Sequence, residues 1–173
     1  MERIRKAEKK DAFRIAEIVV FNYRTFFYPI FKDDEWYFKN MQVKSVADEM
    51  LSNPNILSHT YIYDDGIIKA MIRVEDTEIK KLFVDPFFQC KKIGDKLINF
   101  AIKNLNAKTL WTLEKNTRAI NFYNKHGFMQ TGEKKFEEDT TEYLVKLGLT
   151  CNQPIKRIIL NEDGSNIKTN VEQ

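Results

Sequence analysis

The chain has 173 residues, of which 43% are hydrophobic and 13% aromatic, and this apolar content suits one domain with a single core. Lys and Arg outnumber Asp and Glu by only three, 28 against 25, so the overall charge argues against a nucleic-acid-binding or membrane-surface protein. Because Cys90 and Cys151 lie in no zinc or disulfide spacing and no apolar run has the length of a signal peptide or membrane span, we expect a cytoplasmic protein without a metal.

The first predicted elements are a short strand at residues 3–7 and an amphipathic helix. After Asp11, apolar residues recur at helical spacing, which predicts a helix with one buried face. These residues are Ala12, Ile15, Ala16, Val19 and Tyr23. Residues 26–37 follow, with six aromatic side chains around Pro29 and no steady period. We interpret this stretch as a loop with irregular helix.

The middle of the chain begins with a short helix and continues as a hairpin. The helix is predicted at residues 46–51. Strands at residues 57–63 and 67–75 are joined by the turn signal Asp64-Asp65-Gly66. The two strands are therefore expected to pair antiparallel.

A third strand in this run, residues 77–84, leads into a candidate anion site. It stops at Asp85-Pro86, and since proline cannot continue a ladder, we expect the strand to splay from its neighbour and leave backbone groups free for a ligand. A helix is predicted from Ile93. The turn before it presents unpaired N–H groups, the positive end of a helix dipole, and Lys91 and Lys92, which together suit a phosphate.

The second half of the chain is predicted to add three strands and one helix. The strands are residues 108–113, 128–136 and 140–147, and the helix starts at Asn116. The element order is then β-α-α-β-β-β-α-β-α-β-β. Residues 150–173 are expected to be a C-terminal extension. One interpretation is that their apolar cluster forms an extra strand, which covers a sheet edge in its own subunit or across a homodimer. The alternative is an unstructured appendage.

The helix begun by Asn116 carries an unusual face. Ala119, Phe122 and Tyr123 lie at i, i+3 and i+4, so the Tyr123 ring is placed beside the small Ala119 and a narrow channel can pass there. Gly127 supplies a left-handed helix stop. The alternative interpretation of Tyr123 is an ordinary half-buried aromatic residue.

The chain contains two further motifs: V-D-P-x-x-Q-x-x-K-x-G at residues 84–94, and N-x-x-A-x-x-F-Y-x-K-x-G-F at residues 116–128. Both resemble motifs of the GCN5-related N-acetyltransferase (GNAT) superfamily. With the element order, the resemblance covers residues 4–149 and implies a GNAT domain over residues 1–149. The implied fold is α/β (α+β), with a central mixed, mostly antiparallel twisted sheet of about seven strands, flanked by about four helices and splayed at the cofactor site. One departure is Lys92, which stands where the family usually has its first loop glycine. A left-handed backbone conformation at Lys92 would destabilise the folded state by about 1 kcal/mol or more.

The resemblance also implies acetyl-CoA as co-substrate, with the pyrophosphate on the loop amides and the thioester along the strand. The residues implied in acetyl-CoA binding are Leu82, Phe83, Val84, Gln89, Cys90, Lys91, Lys92, Ile93, Gly94, Asp95, Asn116, Ala119, Phe122 and Tyr123. The Tyr123 hydroxyl is implied as the acid that protonates the departing CoA thiolate. An acceptor amine with a pKa near 10 must first lose a proton. Candidate bases are Glu75, Glu78 and Glu114, and a water relay is the alternative.

The acceptor pocket of this superfamily is built largely by the region after the first strand, which is aromatic and acidic in this chain. Phe26, Phe27, Tyr28 and Trp36 are the candidate acceptor-binding residues. Their rings, with the acidic run at residues 33–35, suit a cationic amine. The alternative is a core-facing aromatic cluster with a solvated acidic turn.

The predicted function is that of an acetyl-CoA-dependent N-acetyltransferase that moves an acetyl group directly to a primary amine of a small molecule or peptide. A non-catalytic acyl-CoA-binding or sensing module on the same fold is the alternative, because Lys92 departs from the loop motif and no base is obvious. Neither a nucleic acid nor a membrane is expected as a partner.

Overall fold

The computed structural model describes residues 3–138 and 140–150, which form a seven-stranded sheet with helices packed on both faces. The strands are β1 Ile4–Lys6, β2 Thr60–Asp64, β3 Ile68–Glu75, β4 Glu78–Val84, β5 Thr109–Leu113, β6 Phe128–Phe136 and β7 Tyr143–Leu149. The α-helices are α1 Ala12–Asn22, α2 Tyr28–Phe31, α3 Val43–Ser52, α4 Pro54–Ser58, α5 Ile93–Asn104 and α6 Thr117–Lys125.

The strand order across the sheet is β1-β2-β3-β4-β5-β7-β6. Every neighbouring pair is antiparallel except β4 and β5, which are parallel. The predicted α/β (α+β) class with a mixed, mostly antiparallel sheet of seven strands is confirmed.

Side-chain alternation along the strands builds a separate core on each face of the sheet. On β2, Ile62 packs with α1, α3 and α4, whereas its neighbour Tyr63 packs with α5. On β3, Met71 and Ile72 divide between the two faces in the same way. The core around Ile62 is completed by the predicted stripe. Its members Ala12, Ile15, Ala16 and Val19 are buried, whereas Tyr23 lies just beyond the end of α1 and is partly buried.

The sheet opens between β4 and β5. These strands pair only through Glu78 and Ile79 of β4 and then separate. At Lys80 the register of β4 against β3 shifts by one residue, which is a β-bulge, and a bulge bends and twists the strand that carries it. The expected splay is therefore present, but it begins at the bulge rather than at Pro86, which lies beyond the end of the strand.

The described residues contain six α-helices where about four were expected. One addition is α4, which occupies the start of a predicted strand. Pro54 stands at its first position, and the Asn53 side chain accepts a hydrogen bond from the Asn55 N–H, so the local sequence caps a helix there. The aromatic segment after α1 is also more helical than expected, because π-helical turns at Tyr23–Phe27 and Trp36–Asn40 flank α2.

Residues 151–173 lie outside the described part of the chain, so the extra strand expected in the C-terminal extension stays a prediction, as does the domain boundary at residue 149. Among residues 3–138 and 140–150, none of the helices combines the length and the apolar character needed to cross a membrane.

Candidate active site

A cleft of about 1490 Å³ lies where β4 and β5 separate. Typical small-molecule sites measure roughly 300–1,000 Å³, so this cleft has room for two substrates at once. Its walls are the aromatic segment after α1, strand β4, the loop into α5, one face of α6, and the turn between β6 and β7.

Strand β4 presents free backbone groups to this cleft. The N–H of Asp85 donates to β3, and because hydrogen-bonding direction alternates along a strand, the peptide groups of Val84 and Leu82 point into the gap. The Val84 carbonyl accepts hydrogen bonds from the side-chain amides of Asn22 and Gln89, each at 3.1 Å. The N–H groups of Leu82 and Val84 and the Leu82 carbonyl face the space that β5 has left.

The loop from β4 into α5 has the geometry of an anion site. Cys90 and Lys92 have φ values of 61° and 58°, in the left-handed region, and Lys92 is the N-cap of α5. The N–H groups of Ile93, Gly94 and Asp95 follow, and the first N–H groups of a helix have no partner inside it. Two non-glycine residues in the left-handed region cost about 1 kcal/mol or more each. The strain anticipated at Lys92 is therefore present.

The carboxylate of Asp95, in the first turn of α5, pairs with basic side chains at the end of α6. It lies 2.8 Å from the Lys125 ammonium and 2.9 Å from Nε2 of His126. The hydrogen bond from Lys125, with a further contribution from His126, lowers the pKa of Asp95. Because these partners offset the carboxylate, it does not oppose an anion at the helix N-terminus.

On α6, Asn116 and Tyr123 take different roles. The Asn116 side chain caps the helix by accepting a hydrogen bond of 3.1 Å from the Ala119 N–H. Tyr123 is 7% exposed and lines the cleft, and none of the described residues forms a hydrogen bond with its hydroxyl. Burial raises the pKa of Tyr123, so the hydroxyl keeps its proton at neutral pH. It is a free proton donor directed into the cleft.

Arg118 connects the loop to the aromatic segment and was missed by the sequence analysis. Its guanidinium donates to Oε1 of Gln89 at 2.6 Å and stands over the Phe26 ring at 4.6 Å from the centroid. It adds a positive charge beside the loop amides. The signal that could have identified it is an arginine two residues after the helix cap Asn116.

The structure brings the predicted acetyl-CoA-binding residues together with one exception. All of them line the cleft except Lys91, whose ammonium lies 5.2 Å from the centroid of the Phe88 ring. The loop therefore offers the cleft one lysine, Lys92, where two were expected.

Three of the four predicted acceptor-binding residues also line the cleft, namely Phe26, Phe27 and Trp36. Tyr28 does not. Its hydroxyl donates to Asp34 at 2.7 Å, and its ring packs edge-on against Tyr37 with centroids 5.7 Å apart. Tyr28 supports the wall from behind, whereas its neighbour Tyr37 lines the cleft.

None of the three candidate glutamate bases lines the cleft. Glu78 lies on the part of β4 that still pairs with β5, and its carboxylate is 2.7 Å from the Lys80 ammonium. Glu114 forms an ion pair with Lys134 of β6, and Glu75 lies on the closed part of the sheet.

Other carboxylates enter the cleft from the β6–β7 turn, and the sequence analysis did not single them out. They are Glu137, Glu138 and Glu142. Glu142 is paired with the Lys115 ammonium at 2.7 Å. The available signal was an acidic turn between two strands.

Within the described part of the chain, no group of three His, Cys, Asp or Glu side chains could hold a metal ion.

Known proteins resemble the chain at the level of both sequence and fold. A family model described as an acetyltransferase (GNAT) domain matches residues 57–130. An uncharacterised N-acetyltransferase of Methanocaldococcus jannaschii is 31% identical over 134 residues, which are 72% of this chain and 59% of that protein. The chain thus matches little more than half the length of this curated relative.

Two solved structures show the same fold at lower identity. YjaB from Escherichia coli, solved in its apo form, has a TM-score of 0.65 and 20% identity, over 84% of this chain and 95% of that one. The PaiA N-acetyltransferase from Thermoplasma acidophilum, solved in complex with coenzyme A, has a TM-score of 0.61 and 18% identity, over 86% of this chain and 99% of that one. With the family model and the archaeal relative, these likenesses show that the chain belongs to the GCN5-related N-acetyltransferase superfamily, whose co-substrate is acetyl-CoA.

Proposed function

We propose that the protein is an acetyl-CoA-dependent N-acetyltransferase that transfers the acetyl group directly to a primary amine. The observation that carries this proposal is the Tyr123 hydroxyl. The Tyr123 ring is buried, and its hydroxyl is protonated, has no partner among the described residues and lies in the same cleft as the free edge of β4 and the N-terminus of α5. A proton donor in this place suits a reaction whose leaving group is a thiolate.

The residues of the cleft fit acetyl-CoA. The free N–H groups at the start of α5, with Lys92 and Arg118, suit the pyrophosphate. The unpaired peptide groups of Leu82 and Val84 suit the amide-bearing pantetheine and the thioester carbonyl, as an additional strand would. When bound, acetyl-CoA supplies the acetyl group, whose bond to sulfur breaks as its bond to the amine nitrogen forms.

The chain's own residues then have three tasks. The β4 N–H groups orient and polarise the carbonyl oxygen. The Tyr123 hydroxyl gives its proton to the departing sulfur, and solvent restores it. The acceptor must arrive as a neutral amine, and because Glu78 and Glu114 lie outside the cleft, its proton passes to water in the open cleft.

The experiment that tests this function is an assay of CoA release with the full chain, acetyl-CoA and a panel of primary amines. We expect amine-dependent release well above the hydrolysis of acetyl-CoA alone, with one N-acetylated product for each CoA released. Binding of acetyl-CoA, measured by calorimetry, serves as the companion measurement. A protein that binds acetyl-CoA but accelerates transfer to none of the amines contradicts catalysis.

That outcome would favour the second candidate, a non-catalytic acyl-CoA-binding module. Two observations support it: the left-handed Lys92 in the loop, and the distance of the candidate glutamate bases from the cleft. Absence of any acetyl-CoA binding would reject both functions.

A further inference from the structure

Two side-chain amides fill the carbonyl at the end of β4. The Val84 carbonyl faces the gap that β5 has left, and it accepts hydrogen bonds from Nδ2 of Asn22 and Nε2 of Gln89, each at 3.1 Å. A carbonyl oxygen has two lone pairs, so both are in use. Another N–H group can pair with this carbonyl only after one of the two amides has left.

Asn22 and Gln89 differ in how firmly they are held. Asn22 is 4% exposed, lies at the end of α1, and its Nδ2 also donates to the Ile18 carbonyl at 2.8 Å. Gln89 is half-buried and lies in the loop between β4 and α5, directly before the exposed Cys90. Gln89 is therefore the amide that a ligand can displace.

Arg118 holds Gln89 from the opposite wall of the cleft. Its guanidinium, on α6, donates to Oε1 of Gln89 at 2.6 Å, while Nε2 of Gln89 donates to β4. The same guanidinium stands over the Phe26 ring at 4.6 Å from the centroid, which fixes its position. The Gln89 carboxamide thus connects β4 with α6 across the cleft that both line. We call Gln89 and Arg118 together the latch.

The latch lies on the path of the pantetheine. In the proposed function, the pyrophosphate binds at the start of α5 and the thioester lies along the free edge of β4. Val84 is the last residue of β4, so the pantetheine must pass between β4 and α6 at the point where the Gln89 carboxamide stands. A pantetheine amide has the same kind of donor and acceptor as the Gln89 side chain. It can therefore replace that side chain, with its N–H on the Val84 carbonyl and its oxygen on Arg118.

We propose that the latch is an autoinhibitory contact, in which the Gln89 carboxamide occupies the place of a pantetheine amide until acetyl-CoA displaces it. This inference rests on the proposed function and concerns the entry of its co-substrate. Displacement breaks the hydrogen bonds that Gln89 forms with Val84 and Arg118. The protein therefore binds acetyl-CoA more weakly than it would with the latch open.

A permanent strut is the competing interpretation of the same contacts. In that case the Gln89 side chain stays between Val84 and Arg118 when acetyl-CoA binds, and it stiffens the loop that holds the pyrophosphate. Removal of the Gln89 amide would then weaken binding, whereas removal of a latch strengthens it. The two interpretations differ in the sign of one measurement.

That measurement is the affinity of Gln89→Met for CoA, by calorimetry at constant salt. Methionine keeps the length of the side chain and removes both hydrogen bonds, so CoA should bind about threefold more tightly or better. If Gln89→Met does not fold, Gln89→Ala gives the same test. The matched control is Gln130→Met, exposed on β6 outside the cleft, which should leave the affinity unchanged. Unchanged or weaker binding of CoA in the Gln89 variant overturns the latch.

A second ligand tests whether the gain belongs to the pantetheine. Adenosine 3′,5′-bisphosphate carries the nucleotide of CoA without the pantetheine, so it has no amide that competes with Gln89. The parent protein and Gln89→Met should bind it equally. A gain in Gln89→Met that is the same for this ligand and for CoA would place the effect at the phosphates and contradict the latch.

These measurements need binding of CoA and no acetyl transfer, so the latch and the proposed catalysis fail separately. Tighter binding of CoA in Gln89→Met, in a protein that acetylates no amine, supports the latch and contradicts catalysis. Acetyl transfer by the parent protein with weaker binding in Gln89→Met keeps the catalysis and overturns the latch. A parent protein that binds no CoA rejects both.

Discussion

Gly94 and Phe122 are packed so closely that a Cβ atom at Gly94 would stand 3.3 Å from two atoms of the Phe122 ring. The contact joins the first turn of α5 to α6 in the wall of the cleft. Carbon atoms at rest are about 3.5–4.0 Å apart, so any larger residue at position 94 must displace the ring. Since Phe122 lines the cleft, the ring has open space to move into, and that space is the proposed acetyl-CoA site.

The variant Gly94→Ala should therefore lose cofactor affinity more than stability. Alanine in a helix is favoured over glycine by about 0.5–1 kcal/mol, which offsets the cost of moving the ring. Overpacking typically costs about 1–3 kcal/mol, so we expect acetyl-CoA to bind about tenfold more weakly by calorimetry. Lys103→Ala, at the exposed far end of α5, is the control. Unchanged affinity in Gly94→Ala would mean that acetyl-CoA does not run beside Phe122.

Lys92→Gly separates backbone strain from charge in the loop. Glycine removes the strain of a left-handed backbone at position 92, which is about 1 kcal/mol. It also raises the conformational entropy of the unfolded chain, which costs a similar amount, so the free energy of unfolding should change little. Acetyl-CoA affinity should fall at low ionic strength and approach that of the parent protein at high salt, where charges are screened. The matched control is Lys91→Gly, whose lysine lies outside the cleft. A loss of affinity that is the same at all salt concentrations would assign the effect to the backbone.

Tyr123→Phe tests the proton donor. The substitution keeps the ring and removes a hydroxyl that no described residue bonds, so the melting temperature should not fall. General acid catalysis is typically worth about 10²–10⁴-fold, and kcat should drop within that range while acetyl-CoA affinity is retained. Tyr61→Phe, on β2 against Phe100, is the control. If Tyr123→Phe turns over like the parent protein, Tyr123 serves packing alone.

What could be predicted from the sequence was mostly local. The Asn116 cap and the stripe of α1 follow from spacing within one helix, and the structure has both. The loop motif correctly located the strained position at Lys92, because the same backbone conformation is needed whichever residue stands there. Features that depend on contacts within one helix or loop can therefore be predicted from the sequence.

The parts that escaped prediction depend on distant contacts or on a single irregularity. Glu137, Glu138 and Glu142 reach the cleft only after β6 and β7 have folded beside β5, and nothing near them in the sequence indicates this. Glu78 was a candidate base because it precedes Lys80 on the same face. The bulge at Lys80 decides where the sheet opens, and it leaves Glu78 on the closed side.

The pH dependence of stability should reveal the link between α5 and α6. Lys125 first, and then His126, hold the pKa of Asp95 below its usual value of 3.8. For a carboxyl group whose folded pKa is lowered, the stability contribution is fully present above the unfolded pKa. It is lost as the pH falls through the folded pKa, because the folded state must then take up a proton that the unfolded state already holds.

Asp95→Asn should therefore destabilise the protein at pH 7 and less so at acid pH. The Asp95 side chain is about a quarter exposed, so we expect a loss of about 1 kcal/mol or less in urea melts at pH 7. The difference from the parent protein should narrow as the pH falls below about 4, where the parent loses the charge that the variant lacks. Asp48→Asn, which removes an exposed carboxylate paired with Lys44 on α3, should show little difference at either pH. If the loss in Asp95→Asn is the same from pH 7 to pH 3, the contact stabilises the helix pair through packing and neutral hydrogen bonds rather than through the charge of Asp95.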